Sequence, residues 1–347
     1  MEMRHITIEK LQPGHFLGRN VLNSNGTILL KEGVQLTPAM ISTLKNIGAT
    51  ALYIKDPNFE DVNPEQVLSE ETKHLVIGKL NETYKAIKSG KDINSREVSI
   101  GVEAIMNDVM KNKTVLIELN EIRTKDLDQY LHAMNVCVMA TMVGNSMGLN
   151  QIQLKELAVG ALLHDIGKAV PDCDDQSKDI KLHHTWKGFE IIKKRQEFNL
   201  LIAHAAFQHH ETLDGKGIPR GIGGDQIHQY ARIVAVANLY ENLLFDSDES
   251  KRMLPHEACE HLMMLAYNKI DRDVLLHFLK CVSVYPTGVS VKLSSGEIGI
   301  VVGQHRGLPG RPIIRVVESE EQPYTLEVKQ IDLADSANAT KFITKVL

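Results

Sequence analysis

From about residue 65 to residue 282 the chain places apolar residues at helical spacing in one segment after another. VLSEETKHLVIGKLNETYKAI, REVSIGVEAIMNDVM, DLDQYLHAMNVCVMATMVGNSMG and LKELAVGALLHDIGK carry the pattern. NLLIAHAAFQHHE, YARIVAVANLYENLL, PHEACEHLMMLAYNK and DVLLHFLKCV continue it. No strand alternates with these helices and no GxGxxG appears, so a dinucleotide-binding α/β unit is not supported. The expectation is a mainly α protein. Sparse aromatics (5%) and 12 methionines suit helical packing better than a β-sandwich.

The flanks read differently. Residues 1–56 look like a small α+β unit. VLNSNGTILL has Asn25-Gly26 between apolar runs, a hairpin signal. Thr37-Pro38 opens a short helix, Gly48 closes it, and TALYI returns as a strand. KDPNFEDVNPE, with two prolines and several acids, reads as a linker. Residues 57–124 are then linker and helical region, and 125–285 a helical domain. After Tyr285-Pro286 the texture changes: GVSVKLSSGEIGIVVGQ alternates around a Ser-Gly turn and RPIIRVVE is strand-like. Residues 286–347 are expected to be a β-rich extension.

Composition narrows the partners. A net charge of −5 gives no basic excess, which argues against duplex nucleic acid. No apolar stretch reaches the roughly 18 residues of a membrane span. MEMRHITIEKLQ has no apolar signal-peptide core. The four cysteines, Cys137, Cys173, Cys259 and Cys281, form no CxxC and read as reduced thiols. A cytoplasmic protein is expected.

The 15 histidines raise the question of chemistry. Two adjacent pairs occur, His183-His184 and His209-His210, where composition alone predicts about 0.6, so a bare pair means little. A single His132 on an apolar helix is more often a hydrogen-bonded core residue, and Lys168 alone could cap a helix. The set is more telling. Asp128 and His132 are four apart and share a helix face. His164 and Asp165 end an apolar helix, with Lys168 three residues on. His184 precedes Gly188 by four, and His209-His210 run into DGKG. Imidazole with carboxylate oxygen suits Fe, Mn or Zn, and the lack of thiolates disfavours a closed structural zinc site. A carboxylate such as Asp165 can bridge two cations about 3.5–4 Å apart that clamp a phosphate. Glycines let backbone approach a ligand closely, and Lys216 and Arg220 bring positive charge.

The order ALLHDIGK, then HTWKGFEII, then QHHETLDGKGIP, then ARIVAVANLYENL resembles the HD-GYP family of HD-superfamily phosphohydrolases over roughly residues 125–285. The resemblance implies an all-helical catalytic domain holding two divalent ions, iron or manganese, and a third where Asp128 stands for a family Glu. It implies hydrolysis of cyclic di-GMP to pGpG and then GMP. His132, His164, Asp165, His184, His209 and His210 correspond to metal ligands, with Asp165 bridging and Lys168 at the phosphate. Asp214, Gly215, Lys216, Gly217, Ile218, Pro219 and Arg220 would line the substrate. The N-terminal unit resembles a small domain that often precedes HD-GYP and is the expected place for a signalling partner. A homodimer is allowed by analogy.

The sequence also departs from the family pattern. Ile218 replaces the tyrosine of GYP, and Asn238 replaces an expected aspartate. Glu241, three residues on and on the same face, is placed to compensate as a ligand. The basic-aromatic stretch of most members is LLFDSDESKRMLP here, leaving Lys251 and Arg252 to grip phosphate. These changes motivate an alternative: a degenerate HD-GYP protein that acts as a cyclic di-GMP receptor or interaction module without turnover. The altered loop also leaves another cyclic dinucleotide open as substrate.

Overall fold

Three separate hydrophobic cores organise the described residues. The computed structural model describes residues 4–23, 27–49, 51–55, 66–112, 114–119, 123–124, 126–246, 248–316 and 329–347. The Asn25-Gly26 turn and most of the proline-containing linker lie outside these residues.

The first core closes the N-terminal unit. Strands β1 (Arg4–Thr7), β2 (Phe16–Leu17) and β5 (Ala51–Lys55) form an antiparallel sheet with β5 in the middle. Strands β3 (Val21–Leu22) and β4 (Ile28–Leu30), the flanks of the expected hairpin, pair with each other. Helix α1 (Pro38–Asn46) starts where Thr37 Oγ1 accepts from the Met40 amide, with Pro38 in the first turn. Leu17, Leu44 and Leu52 are fully buried there. Leu22 instead joins the large helical core, which ties the unit to the body.

The body runs through α2 (Glu70–Lys88), α3 (Ser95–Lys111), α4 (Asp128–Ser146), α5 (Gln151–Leu162) and α6 (His184–Lys193). It continues through α7 (Leu200–Gln208), α8 (Gln229–Leu244), α9 (Pro255–Leu265) and α10 (Arg272–Leu279). Every residue of α4 from Tyr130 to Gly144 is buried. A helix apolar all round must sit in the middle of a body, and α4 does, packed on α5, α8, α2, α3 and α10. Local caps set the ends. Asn150 and Gln153 form a reciprocal capping box on α5. The Asp108 carboxylate accepts from both the amide and hydroxyl of Ser69, the N-cap of α2.

One element differs from the periodicity. The sequence reading leaves His184 outside any helix, yet it is the first residue of α6, capped by the His183 imidazole that accepts from the Thr185 amide. HTWKGFEIIK mixes Gly, Thr and two isoleucines into ten residues, which blurs the helical signal.

The third core is an antiparallel sheet in the order β10-β6-β7-β8-β9. Its strands are β6 (Ser290–Leu293), β7 (Ile298–Gly303), β8 (Ile313–Val316), β9 (Lys329–Asp332) and β10 (Ile343–Val346). Gly296, at φ +97°, makes the β6–β7 turn that Ser295-Gly296 announces. Among the described residues no helix is long and apolar enough to cross a membrane, and the four cysteines are free. Burial pushes the Cys137 thiol up to about 12.

Candidate metal centre

His132 lies one turn into α4, and His164 and Asp165 follow the last turn of α5. The chain then tightens into a 3₁₀ turn, Ile166–Ala169. A Cβ on Gly167 would stand 2.0 Å from the His184 carbonyl oxygen and 2.7 Å from the Gly188 amide nitrogen. Only glycine allows that approach, and it is what presses the turn against the start of α6 and brings His184 to Asp165. His209 and His210 enter from the end of α7.

All six meet around Asp165, which is 4% exposed. Its Oδ2 is 3.4 Å from His132 Nε2 and 3.5 Å from His164 Nε2. Its Oδ1 is 3.3 Å from His184 Nε2 and 3.6 Å from His209 Nε2. Each carboxylate oxygen therefore faces its own histidine pair. His132, His164 and Asp165 form one group whose ligand atoms lie within 4.8 Å of one another. Asp165, His184, His209 and His210 form a second.

The outer nitrogens decide what the inner ones are. His164 Nδ1 is 2.8 Å from the Ala161 carbonyl, and His209 Nδ1 is 2.7 Å from that of Ala206. A carbonyl only accepts, so both Nδ1 atoms carry the proton. His132 Nδ1 is 2.6 Å from Glu241 Oε2, and His184 Nδ1 is 2.7 Å from Asp175 Oδ1. These carboxylates fix the same tautomer. Four Nε2 lone pairs thus converge on two carboxylate oxygens. His132 Nε2 and His164 Nε2 stand 3.1 Å apart, and His184 Nε2 and His209 Nε2 3.4 Å apart. Asp165 Oδ1 is buried with no hydrogen-bond partner among the described residues. Lys168 Nζ, 2.6 Å from Oδ2, is the nearby cation. Acceptors gathered this way in a dry site call for cations, and neutral imidazole with carboxylate is the donor set divalent ions take. The residues fit a divalent metal centre.

Electrostatics agree. Burial pulls the His164 and His210 imidazoles well below their ordinary value and takes His184 to about 4, so all three are neutral near pH 7. Burial works against the Asp165 anion. The surrounding imidazoles, His164 first and then His132 and His209, together with Lys168 outweigh it and hold the carboxyl well below its usual range.

Other expected residues lie elsewhere. Glu241, read as a compensating ligand, is 1% exposed but turns to the outer side of His132 and is paired with the Arg123 guanidinium. It holds the outer nitrogen of His132 and lies outside the group. Asp128 is not in the group either: its half-exposed carboxylate pairs with Arg123 Nη1 at 2.7 Å. One helical turn before His132 points back toward the exposed start of α4, and Arg123 meets it there. Asn238 is buried and its Oδ1 accepts from Asn242 Nδ2 at 3.1 Å. Arg123, Asp175 and Asn135, whose amide is 3.5 Å from Glu241 Oε1, have no motif to announce them.

The loop after His210 is held by Glu211, 4% exposed, whose carboxylate accepts from the Arg220 and Ile222 amides at 2.8 and 3.1 Å. Glu211 stands in the HHE run and was legible there. Asp214 Oδ1 accepts from Thr212 Oγ1 and the Lys216 amide. A Cβ on Gly217 would lie 2.4–2.5 Å from backbone of His210, Glu211 and Thr212. The Ile218-Pro219 bond is cis, and Gly215 has φ +72°. Lys216, Ile218 and Arg220 are exposed on this loop. Lys251 is paired with Asp248 at 3.3 Å, and Arg252 Nε donates to the Asp246 carbonyl, so these two brace their own loop.

Comparison with known proteins follows the same residues. The HD domain family matches residues 111–274, and a KOW domain associated with HD domains matches 290–347. A cyclic di-GMP phosphodiesterase of Pseudomonas aeruginosa is 26% identical over 82% of this chain and 70% of its own length. The cyclic di-GMP phosphodiesterase PdeB of Borreliella burgdorferi is 26% identical over 72% and 70%. A 3'3'-cGAMP-specific phosphodiesterase of Vibrio cholerae is 26% identical over 55% and 47%. A solved HDG"Y"P protein from Bdellovibrio bacteriovorus aligns over 80% of this chain and 98% of its own at 18% identity, with a TM-score of 0.49.

Proposed function

This chain belongs to the HD-GYP family of HD-domain proteins, and from that premise we propose that it hydrolyses cyclic di-GMP to pGpG and then GMP. The observation that carries the reading is Asp165, whose two oxygens face two different histidine pairs in a buried site. His132, His164 and Asp165 would hold one divalent ion, and Asp165, His184, His209 and His210 a second. Iron or manganese suits a nitrogen and oxygen set without thiolate. Divalent ions supply an activated water at neutral pH and neutralise charge on phosphoryl oxygens.

The chain's own residues do the rest. Glu241, Asp175 and the Ala161 and Ala206 carbonyls hold the imidazoles in one tautomer and one orientation. Lys168 is 48% exposed on a flexible stem, so its ammonium can leave Asp165 for an entering phosphate without crossing protein. The glycine loop that follows His210 and is tied to Glu211 carries the exposed Lys216 and Arg220. The outer phosphate would meet these charges rather than Lys251 and Arg252.

Asn238 supports the second reading, a receptor without turnover. It puts a neutral amide where the family pattern has a carboxylate, and Glu241 is already engaged with His132 and Arg123. The test is made on anaerobically purified protein. Metal is quantified, Fe(II) or Mn(II) is restored, and cyclic di-GMP and 3'3'-cGAMP are offered in parallel. Appearance of pGpG or GMP in the wild type and not in Asp165→Ala is expected. Bound cyclic di-GMP without product after full metal loading would replace the enzyme with the receptor, and faster cleavage of 3'3'-cGAMP would change the substrate.

A further inference from the structure

A partly open cavity lies away from the histidines, lined by residues of the N-terminal sheet, the helical body and the C-terminal sheet. Its volume is about 200 Å³. Tyr53 reaches it from the N-terminal sheet, Tyr240, Phe245 and Met253 from the helical body, and Val289 and Val346 from the C-terminal sheet. No member of the histidine cluster lines it.

Its walls are mainly apolar, with Ser283, His256 and Glu118 among the residues that line it. Ser283 Oγ and His256 Nδ1 are buried with no hydrogen-bond partner among the described residues. Ser283 is 1% exposed and cannot swing out to water. Its backbone is pinned where its amide donates to the Ile117 carbonyl at 3.0 Å. The His256 ring is stacked on Tyr285 at 5.5 Å. Buried polar atoms left unpaired destabilise a fold, so a site that keeps two of them beside an apolar space has a use for them.

Charge limits what can enter. Glu118 lines the cavity and its carboxylate, already accepting from Thr287, repels an anion. The faces of Tyr53 and Phe245 already carry the Arg19 and Arg123 guanidiniums, 4.3 and 3.5 Å from the ring centroids, which disfavours a further cation. Size limits it too. A dry apolar cavity of about 150 Å³ takes benzene, so this one has room for two fused rings.

We propose that this cavity is a binding site for a small uncharged aromatic molecule with one N–H or O–H group, which Ser283 and His256 receive. Its position is suggestive of more than storage, since Phe245 on its wall supports Arg123, and Arg123 holds Glu241 against His132.

The test uses the full chain and two probes of equal shape, indole and its hydrocarbon counterpart indene, in a calorimetric or ligand-observed NMR titration. Indole is expected to saturate at one molecule per chain and to bind about tenfold more tightly than indene. Ser283→Ala should weaken indole about tenfold and leave indene unchanged. Ser283→Leu, checked for folding by circular dichroism, should exclude both by filling the space. Absence of saturable indole binding would overturn the proposal. So would indole binding that neither substitution alters, because the ligand would then sit elsewhere.

Discussion

The two halves of the centre around Asp165 use the same parts and hold them differently. Each has a histidine whose inner nitrogen faces Asp165 and whose outer nitrogen meets a carboxylate. On the α4 side that carboxylate is Glu241, 1% exposed; on the α6 side it is Asp175, 41% exposed. A buried anion needs its own countercharge, and Arg123 and Asn135 come with Glu241. Asp175 stays partly in water and needs none. The same orienting bond is thus built into the core on one side and added from a loop on the other. Stability and metal affinity should be coupled on the first side and separate on the second.

The largest effect tests whether the halves are joined at all. Asp165→Ala removes the shared oxygens, so both ions should be lost together and hydrolysis should fall by at least about 10³-fold. Metal analysis decides it. Retention of one ion per chain would mean that the halves are independent sites. Glu241→Ala comes next. It frees His132 to rotate and leaves Arg123 with less of its countercharge. About 3 kcal/mol of stability should go with the buried pair, and metal affinity should drop about 10–100-fold. Urea unfolding and Mn(II) titration of the same sample read both losses. Weaker metal binding at wild-type stability would break the coupling claimed for this side.

The sequence showed more of the histidine cluster than of what holds it. His164-Asp165 and His209-His210 are covalent neighbours at helix ends, so their spacing alone places them together. The helices were equally plain in the long apolar runs of α4, α5 and α8, although α4 is buried on every side and not along one stripe. Glu241 shows the limit. Being three residues from Asn238 put it near the expected face, but its carboxylate meets the outer nitrogen of His132 and lies outside the cluster around Asp165. Asp128 lies apart for a related reason, since one turn toward the start of α4 is also one turn toward solvent, where it pairs with Arg123. Asp175 and Arg123 arrive from irregular segments, whose side chains no period can aim. The shortness of α6 hid the helix that delivers His184, although the His-x₃-Gly spacing that packs Gly188 on Gly167 was visible.

Asp175→Asn should then do less than Glu241→Ala. The amide still reaches His184 but no longer draws its proton as a carboxylate does. Metal affinity should fall about tenfold. Stability should change by less than about 0.5 kcal/mol, because the group is half exposed. A stability loss as large as that of Glu241→Ala would show that exposure is not what separates the two sides.

The smallest effect comes from a carboxylate that orients a helix instead of an imidazole. Asp108 accepts from the Ser69 amide at 2.9 Å and the Ser69 hydroxyl at 2.8 Å, at the start of α2. Burial raises its carboxyl, but the bonds from the Ser69 backbone and the Thr72 and Ser69 hydroxyls win and leave it below its ordinary value. A depressed folded value means stability that is present above the unfolded value of about 3.9 and lost as pH falls through the folded one. Asp108→Asn imitates the neutral acid. It should cost about 1 kcal/mol at pH 7, and that difference from wild type should shrink as the pH drops below about 4. Urea unfolding of both proteins across that range reads it, with bound metal measured at pH 7. Metal content should not move, since Asp108 touches no histidine of the centre. If metal is lost with the cap, then α2 supports the site through its packing on α4, and the separation drawn between orienting carboxylates and the rest of the fold does not hold.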